Sequence, residues 1–224
     1  MARVDTDGYG DDLTRVDPAA RTTHSPTVYV VDDDAAICTA LQRLLTSSGY
    51  DTLTYQSADA FLATAPARVR ACLILDVALP GLNGLDLQDL LTAREWSLPI
   101  VFLTGRGDVP DTVRAIKRGA VDVLTKPVEE EVLLGAIEAA LARGSADRHA
   151  NEQLAALRAR FDTLTPRERE VMRLVVTGKL NKQIAGELGA SEKTIKVHRG
   201  RVMQKMSVQS VAELVRASDR VDRP

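Results

Sequence analysis

The sequence predicts an α/β fold, a doubly wound five-stranded parallel sheet, followed by a small all-α unit. Two observations carry that expectation. Between Thr27 and Arg143, five short β-branched runs alternate with segments of helical spacing, the pattern of strands joined through covering helices. From Thr165 onward helix starts and tight turns take over, and the charge balance reverses. Thr27 to Arg143 holds 10 Lys and Arg against 16 Asp and Glu, a net of −6, whereas Phe161 to Pro224 holds 13 against 8, a net of +5. At 224 residues the chain is long enough for two domains of ordinary size. An acidic unit followed by a basic one indicates separate tasks, the second on a polyanion.

In chain order, residues 1–26 are polar, rich in Asp, Gly, Thr and Arg, with almost no apolar periodicity. Such a segment buries too little surface to offset its ordering entropy, so a disordered tail is expected. Strands are expected over 27–31, 51–55, 71–76, 99–103 and 121–125. Between them Ile37, Leu41, Leu44 and Leu45 form one helical stripe, Leu85, Leu87, Leu90 and Leu91 begin another, and Val113, Ile116 and Lys117 mark a third. In sheets of this kind the site lies beyond the carboxyl ends of the strands, at a topological switch point.

Chemically active residues fall at those ends. Val28-Tyr29-Val30-Val31 runs into Asp32-Asp33-Asp34, Cys72-Leu73-Ile74-Leu75 ends on Asp76, and Val121-Asp122-Val123-Leu124 closes on Thr125-Lys126-Pro127. Thr104 directly follows the fourth run. Each has a plainer reading: Asp34 as a helix cap, Asp76 as the start of a turn before Pro80-Gly81, Thr104-Gly105 as an ordinary turn, and Lys126-Pro127 as a strand exit. Asp32, Asp76, Thr104 and Lys126 nevertheless land on one edge of one sheet. Two carboxylates and an amine there make a place where a metal and a phosphoryl group meet.

The last third is punctuated differently. Thr165-Pro166-Arg167-Glu168 is a capping box with proline at the first helical position. Gly178 ends that helix, Asn181 to Leu188 forms a short one, Gly189-Ala190 is a tight turn, and Ser191 caps a longer one. Two helices joined by a short glycine-containing turn read as a helix-turn-helix. On the longer helix Ile195, His198, Val202 and Met206 share one face. Lys193, Lys196, Val197, Gly200, Arg201 and Lys205 share the opposite one, which is either a solvated face or a surface for DNA phosphates in the major groove.

Other classes are disfavoured. Cys38 and Cys72 fall in core patterns and make no disulfide framework. No apolar run approaches the roughly 18 residues of a membrane span, and Met1 to Asp5 lacks the layout of a signal peptide. A cytoplasmic location is the expectation, with no membrane partner.

Val30-Val31-Asp32-Asp33-Asp34, the run from Leu75-Asp76 through Pro80-Gly81 to Asn83-Gly84, Leu103-Thr104-Gly105 and Lys126-Pro127 resemble the receiver domain of bacterial response regulators. The resemblance covers residues 27–143 and implies a flavodoxin-like strand order, 2-1-3-4-5. It implies that Asp76 accepts a phosphoryl group from a sensor histidine kinase. Mg²⁺ or Mn²⁺ would be held by Asp33, Asp76, the Ala78 backbone carbonyl and, through a water, Asp32. Thr104 and Lys126 would bind the phosphoryl group, with a cis bond between Lys126 and Pro127. Three residues before that lysine the family carries an aromatic switch residue, where this chain has Val123. Receivers of this kind dimerise when phosphorylated, through the face from Val109 to Arg118 and from Val121 to Thr125.

Leu164 to Val171 and Thr194 to Arg199 resemble the LuxR-type DNA-binding domain, over residues 161–217. The run from Arg201 to Met206, with Leu103 to Pro110, points to the FixJ-like branch of the NarL/FixJ class. The resemblance implies promoter DNA as partner, with Lys193, Thr194, Lys196, Val197, His198, Arg199, Arg201 and Lys205 as candidate contacts. Gly200 has no side chain to offer, and His198 has an inward-packing alternative. Residues 144–160 suit a helical linker, either continuous with the last receiver helix or broken from it at Gly144-Ser145, and 218–224 a tail. The whole reads as a response regulator and transcription factor that assists its own phosphorylation and dephosphorylation without being an enzyme. Two competitors are a phosphorylation-independent DNA-binding regulator, which Val123 favours and the intact acids oppose, and a metal-dependent phosphohydrolase. The latter carries a second acid two residues after its nucleophile, where this chain has Ala78.

Overall fold

The computed structural model describes residues 25–66, 68–105 and 109–222. Most of the tail expected over 1–26, and Arg106 to Asp108 of the branch-defining run, lie outside them. The first unit alternates β1 (Thr27–Val31), α1 (Ala35–Ser47), β2 (Asp51–Tyr55), α2 (Ala58–Thr64), β3 (Ala71–Asp76), α3 (Gly84–Ala93), β4 (Ile100–Thr104), α4 (Val109–Lys117) and β5 (Asp122–Thr125). All pairings are parallel, in the order β2-β1-β3-β4-β5. The order reverses beside β1, so the ends of β1 and β3 flank the switch point where α/β sheets bind ligands. Asp32 follows one of these strands and Asp76 ends the other.

Side-chain alternation builds the two layers. Val28, Val30, Cys72, Ile74, Val101 and Leu103 point to one face, against Leu41 and Leu45 of α1. Tyr29, Val31, Leu73, Leu75 and Phe102 point to the other, with Phe61 of α2, Leu87 and Leu91 of α3 and Ala115 of α4. Both faces are buried, which is why these strands read as continuous apolar runs. Burial raises the thiol pKa of Cys72 to about 12, and both cysteines are free.

Two expectations for the first unit are corrected. Strand β4 begins at Ile100, not at residue 99, because Pro99 has no N–H for the ladder. In α4 the expected stripe faces outward: Val113 and Ile116 are each 47% exposed, while Ala115 is fully buried. A small inward residue lets α4 lie close to the sheet and leaves its larger apolar residues uncovered. At Gly144-Ser145, where the sequence leaves two readings open, the helix is not interrupted. Helix α5 runs unbroken from Glu130 to Asp162. A Cβ on Gly144 would sit 2.7 Å from Cγ of Pro99, so the glycine serves a close approach between helix and ring rather than a break.

The C-terminal unit holds α6 (Pro166–Val176), α7 (Asn181–Leu188), α8 (Glu192–Lys205) and α9 (Val211–Asp222). Thr165 and Glu168 close a reciprocal capping box, Gly189 ends α7 in the left-handed region, and Ser191 caps α8 by accepting from Thr194 N–H. Val171, Met172, Ile184, Ile195, Val202, Met206 and Leu214 form the core, joined by Leu157 from α5. Helix α9 continues through 218–222, part of the expected tail, because Val221 still packs on this core.

Candidate metal-binding pocket and nucleic-acid interface

The carboxylates converge as the strand ends predict. Asp32, 1% exposed, accepts from the Asp34 N–H at 3.0 Å. Asp34 does what its plainer reading predicts, capping α1 by accepting from the N–H groups of Ala36 and Ile37. Asp33 is exposed. Asp76, 6% exposed, accepts from the Ala78 N–H at 3.2 Å. One oxygen from each of Asp32, Asp33 and Asp76 falls within 4.8 Å of the others.

Lys126 reaches this cluster from the end of β5. Its Nζ donates to Asp32 at 2.6 Å and to Asp76 at 2.9 Å, and the bond to Pro127 is cis. Burial pushes the Asp32 pKa above the usual carboxylate value, against the pull of the Lys126 hydrogen bond. For Lys126 burial opposes the charge, but the two carboxylates outweigh it and hold the amine above the ordinary lysine value. The pocket therefore holds a compact cation between two buried acids, with a third acid open to solvent.

Thr104, buried at the end of β4, donates its hydroxyl to the Gly105 carbonyl, and its own carbonyl accepts from the Lys126 N–H at 2.8 Å. The strand ends carrying Thr104 and Lys126 are thus tied together. Val123 pairs with Phe102 in the ladder and packs half-buried on the face that α4 covers.

One supporting residue carries no role in the sequence reading. A Cβ on Gly84 would lie 2.2 Å from the Asp76 carbonyl oxygen, and the Gly84 N–H donates to Val77. Only glycine lets α3 begin this close to the Asp76 backbone. The signal was available as a glycine directly after the Asn83 cap, but its partner eight residues back is visible only in three dimensions.

On α8 the expected faces separate cleanly. Ile195, Val202 and Met206 are fully buried, while Lys193, Thr194, Lys196, Val197 and Arg201 are exposed. Three candidates turn out differently. Lys205 bends inward, its Nζ donating to Glu168 at 2.7 Å and to the Thr163 carbonyl at 2.9 Å, because Glu168 is a carboxylate only 3% exposed that needs a cation. Lys205 is accordingly withdrawn from the contact set. Arg199 is half-buried and donates to Asn181 Oδ1 at 3.1 Å. His198 is half-buried with its Nδ1 enclosed and without a hydrogen-bond partner among the described residues, the inward-packing alternative.

Comparison with known proteins agrees with both halves. Residues 28–138 match the response regulator receiver domain family and residues 162–218 the bacterial regulatory proteins of the luxR family. Nodulation protein W of Bradyrhizobium diazoefficiens is 47% identical over 192 residues, 86% of this chain and 85% of that one. The transcriptional regulatory protein FixJ of the same organism is 41% identical over 193 residues, 86% of this chain and 94% of that one. The solved structure of the response regulator StyR, 46% identical, superimposes with a TM-score of 0.74 over 88% of this chain and 99% of its own.

The chain belongs to the response-regulator family, in the NarL/FixJ class that joins a receiver domain to a LuxR-type DNA-binding domain. It is a DNA-binding transcription regulator of a two-component system, governed by phosphorylation.

Proposed function

We infer that Asp76 is the phosphoacceptor and that a sensor histidine kinase is its donor. The observation that carries this is the Lys126 amine bridging Asp76 and the buried Asp32 at the switch point of the sheet. A carboxylate oxygen of Asp76 attacks the phosphorus of a phosphoimidazole, the P–N bond breaks, and the histidine leaves with the electron pair. The product is an acyl phosphate on Asp76. Lys126 turns from bridging two carboxylates to neutralising a phosphoryl oxygen as a compact point charge, and Thr104 donates its hydroxyl to another.

The donor set is all oxygen, the chemistry that hard divalent cations take. Asp33 and Asp76, the Ala78 carbonyl and, through a water, Asp32 would hold Mg²⁺ or Mn²⁺, whose charge offsets the repulsion between nucleophile and phosphate. The same residues assist hydrolysis of the acyl phosphate. Ala78 offers no second acid for turnover of phosphate esters, which argues against a phosphohydrolase.

Phosphorylation adds about −1.5 to −2 charge beside Thr104 and favours a dimer through α4 and β5, whose exposed Val113 and Ile116 await a partner. The dimer presents two copies of α8 to promoter half-sites, with Lys193, Thr194, Lys196, Val197 and Arg201 outward and Arg199 beside them. Val123 supplies volume but no aromatic ring to follow Thr104, and this one feature favours the phosphorylation-independent alternative. Intact-mass measurement after incubation with a small phosphodonor and Mg²⁺ tests the site. One phosphoryl group is expected, absent in Asp76→Asn; labelling that persists in the variant overturns the assignment.

A further inference from the structure

The face of α5 that covers the sheet does not end with the sheet. Leu133, Ala136, Ile137 and Ala140 pack on the strands, and Gly144 closes that contact against Pro99. The same face then overhangs the strands, while Leu157, on another side of the helix, enters the C-terminal core. Between the overhang and the α3–β4 connection lies an open groove of about 910 Å³, with Trp96 and Leu98 in its lining.

Arg143, Asp147, Asn151, Leu154, Arg158 and Asp162 line it from the helix. Their spacing is 4, 4, 3, 4 and 4 residues, which keeps all of them on one side of a helix. The spacing is palindromic and the charges are antisymmetric about its centre. In an antiparallel pair of such helices with a twofold axis at that centre, Arg143 meets Asp162 of the second copy. Asp147 likewise meets Arg158, and Asn151 meets Leu154. An isologous contact requires this self-complementarity, whereas a parallel pair in register sets every charge against its own kind. Within one chain these charges are loosely used. Arg143 and Asp147 stand 3.9 Å apart, as do Asp162 and Arg169, and Arg158 makes no ion pair among the described residues.

We propose that this groove docks a second copy of the chain, which lays its own α5 antiparallel into it. Leu154, Trp96 and Leu98 supply the apolar contact. The charge pairs, each occurring twice across the axis, add little affinity individually and set direction and register. The surface is separate from α4 and uses no phosphoryl group, so association through it does not require phosphorylation.

Sedimentation velocity of the full, unphosphorylated chain at micromolar concentrations tests the docking. A reversible dimer is expected, weakened about tenfold or more by Asp147→Arg or by Arg158→Asp, and restored to within about threefold when both reversals are combined. Circular dichroism checks that each variant keeps its helices. A chain that stays monomeric, a dimer indifferent to either reversal, or a combined variant that stays weakened overturns the proposal. So does a dimer that Ile116→Asp abolishes, which places the contact on α4.

Discussion

Lys126 holds together two carboxylates that would otherwise share a buried pocket as like charges. Lys126→Met is expected to lower stability by about 2 kcal/mol, between the effects of breaking a buried pair and an exposed one, since the amine is 23% exposed and Asp32 1%. Urea denaturation without divalent cations reads this, and added Mg²⁺ recovers part of the loss. Glu168 is a second buried acid with a single cation. The Lys205 hydrogen bond holds its pKa below the ordinary glutamate value. The unfolded chain therefore binds the proton more readily than the folded one, and stability rises with pH through the window below that value. The contribution is complete above the unfolded pKa of about 4.5 and lost as pH falls through the lower folded value. Denaturation midpoints between about pH 3 and pH 5 are expected to climb in the parent chain. In Glu168→Gln that climb is shallower.

At the scale of elements, local chemistry made the C-terminal unit legible: the Thr165–Glu168 box, the Gly189 turn and the Ser191 cap each act within a few residues, and each stands where the pattern places it. The strand ends were legible for a related reason, since an apolar run that stops at an acid marks burial giving way to a site. What escaped depends on distant partners. The inward turn of Lys205 depends on Glu168, 37 residues earlier, and the reason for a glycine at 144 lies with Pro99, 45 residues before it. The outward stripe of α4 reflects a packing choice in favour of Ala115. Gly144→Ala improves helix propensity by up to ~1 kcal/mol, yet it is expected to lower the thermal midpoint because its Cβ meets the Pro99 ring. Combined with Pro99→Ala the loss shrinks, a coupling that a double-mutant cycle measures.

For the whole molecule, an acidic receiver and a basic reader share one chain and are joined by a single continuous helix. Lysines and arginines on DNA phosphates make affinity salt-dependent through counterion release. Lys196→Ala and Arg201→Ala are each expected to weaken binding and to reduce the slope of log affinity against log salt by about 1. Lys205→Ala is instead expected to lower the stability of the C-terminal unit, as its amine is held by Glu168. Fluorescence titration across salt concentrations separates the two behaviours. The central claim is that chemistry at Asp76 governs what α8 does to DNA. Its most direct measurement is the affinity for promoter DNA of the parent chain and of Asp76→Asn, each with and without a small phosphodonor and Mg²⁺. The donor is expected to tighten binding by the parent about tenfold or more, within the range of ordinary allosteric coupling, and to leave Asp76→Asn unchanged. Equal affinity of the parent with and without donor, at full phosphorylation, contradicts the account.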